Sequence, residues 1–215
     1  MSPIKAFISY SSMQKKIGGR FKDCLTNYCG YEVFIAHSDM PGASIFEEEI
    51  IKAIRNTDLF IPLISNNFKT SDFADQETGI AVVLEKKIIP IKLGEVNPYG
   101  FISKYQALQH KTYQTAYSIK DNVKELVLAI AQIGLSYEPY QQKAINSLVH
   151  AFCHSRSFEA TNATIEILSH CNLLTSAQLR EIIYAIKIND QIQGAWGLEE
   201  FKKFLHKNYK ISIDV

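Results

Sequence analysis

The sequence predicts an α/β protein: a parallel sheet of about five strands flanked by helices, followed by a small all-helical C-terminal region. Three observations lead there. Short apolar runs recur at Ala6–Tyr10, Tyr31–Ile35, Leu59–Ile64 and Ile88–Leu93, and runs without strict polar alternation suit strands buried on both faces. Between them lie segments with apolar residues three and four apart, the spacing of crossover helices in a parallel sheet. Beyond Gly134 only helical periodicity continues.

In chain order, A-F-I-S-Y opens the first strand and ends in hydroxyls, Ser9, Ser11 and Ser12. Met13, Ile17, Phe21 and Leu25 give a helix over Met13 to Tyr28, closed by Cys29-Gly30 with glycine in its usual terminating role. After the second strand comes A-H-S-D-M-P-G-A-S, a loop marked by Pro41-Gly42. Ser44 with Glu47 reads as a capping box opening a helix to Asn56. Leu59–Ile64 is nearly all apolar and is the expected centre of the sheet, although Pro62 lacks a ladder N–H; Pro90 in the fourth strand raises the same question. Ala74–Leu84 is a helix with Lys86-Lys87 at its C-terminal end. Ala107–Tyr113 is a candidate short fifth strand, and Ser118–Ile133 a helix built on Ile119, Val123, Leu126, Val127 and Ile130. Four further helices follow, at Tyr137–Ser155, Phe158–Cys171, Thr175–Asn189 and Leu198–Asn208. Thr175 with Gln178 forms a second capping box, and Ile211–Val215 is a candidate terminal strand. The expected organisation is a flavodoxin-like α/β domain over residues 1–134 and a helical domain over 135–215.

Composition sets the class. A chain of 215 residues holds one large or two small domains. Lys plus Arg total 23 against 22 acidic residues, so no basic footprint points to nucleic acid. The four cysteines form no CxxC pair, as expected for reduced thiols in the cytosol. The N-terminus lacks a charged segment followed by a long apolar stretch, and no run approaches the length of a membrane span, so the expectation is a cytoplasmic protein without signal peptide or membrane segment.

Dinucleotide, P-loop, zinc-protease and nucleophile-elbow fingerprints are absent. The acidic cluster of a response-regulator receiver is replaced by serines. His150 and His154, four apart on a helix, read as a surface pair rather than a metal site. Cys24 and Cys29 read as apolar fillers, and Trp196, in a glycine-flanked turn, as an anchor against neighbouring helices. The informative stretch is Ser71–Ala81, S-D-F-A-D-Q-E-T-G-I-A. Phe73 and Glu77 lie one helical turn apart on one face, just beyond the carboxyl end of the third strand, where ligands bind in such sheets. A ring beside a carboxylate suits a site that stacks a base or pyridine ring and stabilises positive charge on a neighbouring sugar.

Together A-F-I-S-Y-S-S, D-M-P-G-A-S-I-F, D-L-F-I-P-L-I-S and N-F-K-T-S-D-F-A-D-Q-E-T-G-I-A, in this order, resemble the Toll/interleukin-1 receptor (TIR) domain of the prokaryotic kind over about residues 4–134. Many members of that family cleave the nicotinamide–ribose bond of NAD, and some cyclise the product into a signal. The resemblance implies Glu77 as the catalytic glutamate. It implies Phe73 as the substrate-stacking aromatic, here a departure from the usual Trp. Tyr10 and Ser11 would lie near the ribose or phosphates. Asp39, Gly42 and Phe46 belong to the loop region that contacts substrate or the next subunit, so self-association through Asp39–Ser44 is implied. NAD is then the substrate, with no metal or further cofactor required. A role in antiphage defence of the Thoeris type, with a downstream effector responding to the product, follows from the same resemblance. Two other readings stay open: a non-enzymatic TIR module acting by self-association, and a nucleoside deoxyribosyltransferase-like domain acting on free nucleosides. The helical tail resembles no family and is expected to govern assembly.

Overall fold

The computed structural model describes residues 2–35, 46–114 and 118–213, without the side chain of Phe46. Asp39, Gly42 and the Ser44 capping position lie outside the described residues, as does the Phe46 side chain. Contacts divide the chain into two units. One comprises Ile4–Cys24 and Glu32–Val127; the other comprises Met1–Pro3, Leu25–Tyr31 and Leu128–Val215.

The α/β unit follows the predicted alternation. Strand β1 (Lys5–Ser9) leads through a short turn at Ser12–Gln14 into α1 (Lys15–Cys29). Then come β2 (Glu32–Ile35), α2 (Phe46–Arg55), β3 (Leu59–Ile64), the single turn α3 (Asn66–Lys69) and α4 (Asp72–Val83). Short strands β4 (Lys87–Ile88), β5 (Ile91–Lys92) and β6 (Leu108–Gln109) complete a sheet in the order β2-β1-β3-β5-β6, with β4 also on β3, and every pairing in it is parallel. All six residues of β3 are buried, which fits its central place. Pro62 is accommodated because the far side of the ladder is interrupted there. β4 pairs with Leu59 and Phe60, and β5 with Leu63 and Ile64, so Ile61-Pro62 face the gap that holds Ile89-Pro90. Two prolines without N–H groups thus fall where ladder bonds are missing. Phe7 stacks between Phe34 and Phe60, ring centroids 5.4 and 5.6 Å away, and heads a core with Ile50, Ile54, Ile64 and Phe68.

Two expectations change. Thr112–Gln114 (β7) and Ile119–Asp121 (β8) form an antiparallel pair separate from the main sheet, and α5 begins only at Val123 and runs to Ser136. Ile119 had helical spacing in the sequence but is exposed on this hairpin. Met13 is likewise exposed, in the turn before α1, whereas Phe21 and Leu25 are fully buried.

The second unit holds α6 (Glu138–Cys153), α7 (Phe158–Leu168), α8 (Ser176–Ile188), α9 (Asp190–Gln193) and α10 (Leu198–Tyr209). α6 packs on α7 and α8, and α7 on α9 and α10. The Thr175–Gln178 capping box is formed, with the Gln178 N–H donating to Thr175 Oγ1 at 3.3 Å and the Thr175 N–H to Gln178 Oε1 at 2.8 Å. Residues 211–213 have no regular structure. Trp196 is 85% exposed, so it does not anchor the bundle; Ala195 and Leu198 turn inward instead. Gly30 closes α1 at φ +66°. The Gly30 N–H donates to Thr26 O and the Tyr31 N–H to Leu25 O, the glycine-terminated helix end that the sequence signals.

Candidate functional site

Helix α4 buries a stripe of Ala74, Glu77, Thr78 and Ala81. The spacing i, i+3, i+4, i+7 is that of a core-facing helix side. Its two alanines keep the side low where α4 packs on β1, β3 and α2. Thr78 satisfies its hydroxyl by donating to Ala74 O at 2.7 Å. Glu77 is the exception: a carboxylate at a core position, only 5% exposed. Ser71 caps the helix, its side chain accepting from the Ala74 N–H, and Ser65 caps α3 in the same way through Phe68. Ser65 follows the last residue of β3, and the two caps carry the chain from the end of β3 through α3 into α4, the helix that bears Glu77.

The partner of Glu77 is Ser9, the last residue of β1. Its Oγ donates to Glu77 Oε2 at 2.5 Å. Ser9 is 1% exposed and lies opposite Pro62 in the β1–β3 register. β1 and β3 are the strands between which the chain reverses its direction of winding, β2 lying on one side and β5 and β6 on the other. The Ser9–Glu77 bond therefore spans the topological switch point, where open parallel sheets bind ligands. Burial pushes the Glu77 carboxyl up to about 7, and the Ser9 hydrogen bond only partly opposes it. A carboxyl group that is half charged at neutral pH is suited to proton transfer or to stabilising a transient cation.

The other sequence-predicted residues have definite places. Phe73, one turn before Glu77 on α4, is 46% exposed. Tyr10 is buried under α1; a Cβ on Gly18 would come within 2.8 Å of its ring, so glycine is what lets α1 lie this close. Ser11 is buried and donates to Gln14 Oε1 at 2.6 Å. The hydroxyls of Ser9 and Ser11 are thus engaged within the protein, and Ser12 is the exposed one. Sequence reasoning grouped Ser9 with this turn and missed its bond to Glu77. The available signal was a hydroxyl at the end of an otherwise apolar strand, since a buried polar group requires a partner.

Elsewhere, Asp75 accepts from Tyr99 Oη at 2.7 Å, and burial, followed by this bond and the Asp75 charge, raises the Tyr99 phenol above its usual range. In the helical unit, the His150 and His154 rings stack with centroids 4.2 Å apart. No group of three or more metal-ligating side chains occurs among the described residues, and no helix among them is long and apolar enough to cross a membrane.

The parallel sheet with helices between its strands makes this an α/β domain of the open-sheet class. Residues 6–127 match the family model described as "TIR domain", more than half of the 215-residue chain. The chain belongs to the TIR domain family. No match was found among curated proteins. Among solved structures it is similar to the TIR domain of the Toll-related receptor TRR-2 of Hydra magnipapillata, with 21% identity, 48% of this chain and 82% of that one covered and a TM-score of 0.43. It is similar to a 2-desoxiribosyltransferase of Leishmania mexicana at 17% identity, with 45% and 68% covered and a TM-score of 0.36. A third similar structure is the CMP N-glycosidase BcmB of Clostridium botulinum, at 19% identity, with 60% and 98% covered and a TM-score of 0.39.

Proposed function

We propose that this TIR domain cleaves the nicotinamide–ribose bond of NAD, with Glu77 acting on the ribose. The observation that carries the reading is the carboxyl of Glu77, held by Ser9 at the switch point and shifted to about 7. Departure of nicotinamide leaves an oxocarbenium-like ribose. A carboxylate beside the sugar stabilises that charge, and in a poorly solvated site it does so strongly. Phe73 supplies a face on which the leaving ring stacks. If water attacks the anomeric carbon, its proton passes to the carboxylate, giving ADP-ribose and free nicotinamide; if the adenine of the same molecule attacks, a cyclic ADP-ribose results. The nucleotide product then serves as a signal to an effector, in keeping with a role in antiphage defence, and the Asp39–Ser44 loop mediates self-association of TIR subunits.

The test is incubation of the purified protein, at concentrations that allow assembly, with NAD, followed by chromatography and mass measurement of the products. Nicotinamide release is expected, reduced about 10²- to 10⁴-fold in Glu77→Gln and with a raised KM in Phe73→Ala. Equal rates for Glu77→Gln and wild type would remove Glu77 from the chemistry. Intact NAD throughout, with self-association abolished by changes in the Asp39–Ser44 loop, would make the protein an interaction module.

A further inference from the structure

We propose that Ser9 is a positioning residue for Glu77: its buried hydroxyl, donated to Oε2 at 2.5 Å, fixes the carboxylate's orientation at the switch point and supports its ionised form. The assignment rests on the NAD-cleaving reading for its enzymology, though not for its geometry. Ser9 is set by pairing on both sides of β1, with β2 at the preceding residue and with β3 at Ser9 itself. Its backbone has no freedom to move with the side chain. At 1% exposure the hydroxyl has no bulk water to turn to, so it is committed to Glu77.

The carboxylate is correspondingly dependent on Ser9. Burial and the Ser9 bond are the two influences on its ionisation, and no charged side chain among the described residues adds to them. Asp75, two residues earlier on α4, is engaged by Tyr99. Burial opposes charge and, among the described residues, Ser9 favours it. Among the described residues the hydrogen bond to this carboxylate falls on Oε2, which leaves Oε1 as the oxygen assigned to the sugar in the proposed reaction.

The test is to titrate the Glu77 carboxyl by carbon NMR without NAD, and to record the pH profile of nicotinamide release, in wild type, Ser9→Ala and Ser9→Thr. In Ser9→Ala the titration should move up by roughly one to two pH units, the worth of a hydrogen bond to a charged group. The acid limb of the rate profile should move with it. At pH 7 kcat falls about 5- to 50-fold, recovering as pH rises, while KM stays nearly constant because Ser9 does not touch substrate. Ser9→Thr, which keeps the hydroxyl, should restore both. If Ser9→Ala does not fold, Ser9→Cys serves in its place, its weaker donor giving an intermediate shift in the same direction. An unmoved Glu77 titration overturns the proposal whatever the enzymology. A moved titration in a protein that leaves NAD intact at every pH upholds the Ser9–Glu77 coupling and removes NAD cleavage.

Discussion

Glu77 occupies a place that packing alone would give to alanine or leucine, and the protein bears a cost for it whenever the group is charged. The sign of that cost is fixed. The folded carboxyl titrates at about 7 against an ordinary 4.5, so between those values the folded chain holds a proton that the unfolded chain has lost. Stability from this group is present in full below 4.5 and is lost as pH rises through 7. The loss reaches about 3 kcal/mol above that window. Glu77→Gln keeps the shape and an acceptor for Ser9 but cannot ionise. It should match wild type near pH 4.5 and exceed it at pH 8 by up to that amount, read from urea unfolding at the two pH values; a constant difference would show that Glu77 does not titrate in the window. Stability gained where activity is lost is the usual relation at a site that holds a destabilised group. Phe73, at the start of α4, is 46% exposed, so its replacement by alanine should cost less stability than the loss of a fully buried ring.

At the scale of elements, legibility depended on whether a segment's own pattern fixed it. β3 was readable from its unbroken apolar run, and the Thr175–Gln178 box from local chemistry between residues three apart. β8 was not readable, because Ile119 continues the helical spacing of α5 and only its pairing with Gln114 makes it a strand. The end of α1 shows both kinds of information. Gly30 announces a helix end in any sequence, yet its second role needs the fold: a Cβ there would collide with the carbonyl oxygen of Ser147 on α6. Gly30→Ala therefore faces both a left-handed backbone, φ +66°, and a clash with main chain that cannot rotate aside. A loss of about 2 kcal/mol or more is expected, well above the usual cost of alanine for glycine at a helix end. Thermal unfolding by circular dichroism would decide, and an unchanged midpoint would mean that α6 does not approach Gly30 this closely.

For the whole molecule the consequence lies in which residues share a core. Leu25–Tyr31 belong to the unit formed by residues 128–215. Tyr28 Oη donates to Glu159 Oε1 at 2.7 Å, and Thr164 Oγ1 donates to the Tyr28 carbonyl at 2.8 Å. A chain cut after Ile133 loses those partners and uncovers Leu25, Tyr28, Cys29 and Tyr31, all buried in the intact protein. Each large side chain left bare forfeits about 1.5–3 kcal/mol, against a total stability on the order of 5–15 kcal/mol. The truncated chain should therefore aggregate or melt far below the intact one; an equally stable truncated chain would show that the helical unit is dispensable for folding.

The sequence by itself determined the order of the main strands and helices and the parallel class of the sheet, and it marked the stretch around Phe73 and Glu77 as the candidate site. Hydrophobic period, turn residues and the βα alternation are local properties that survive reading along a line. Only the tertiary structure decided that Glu77 is a core position, that Ser9 from a strand 68 residues away holds it, and that the end of α1 is covered by helices more than a hundred residues later. Those facts depend on which buried polar group meets which partner across the sheet, a matter of distance in space that no spacing along the chain records.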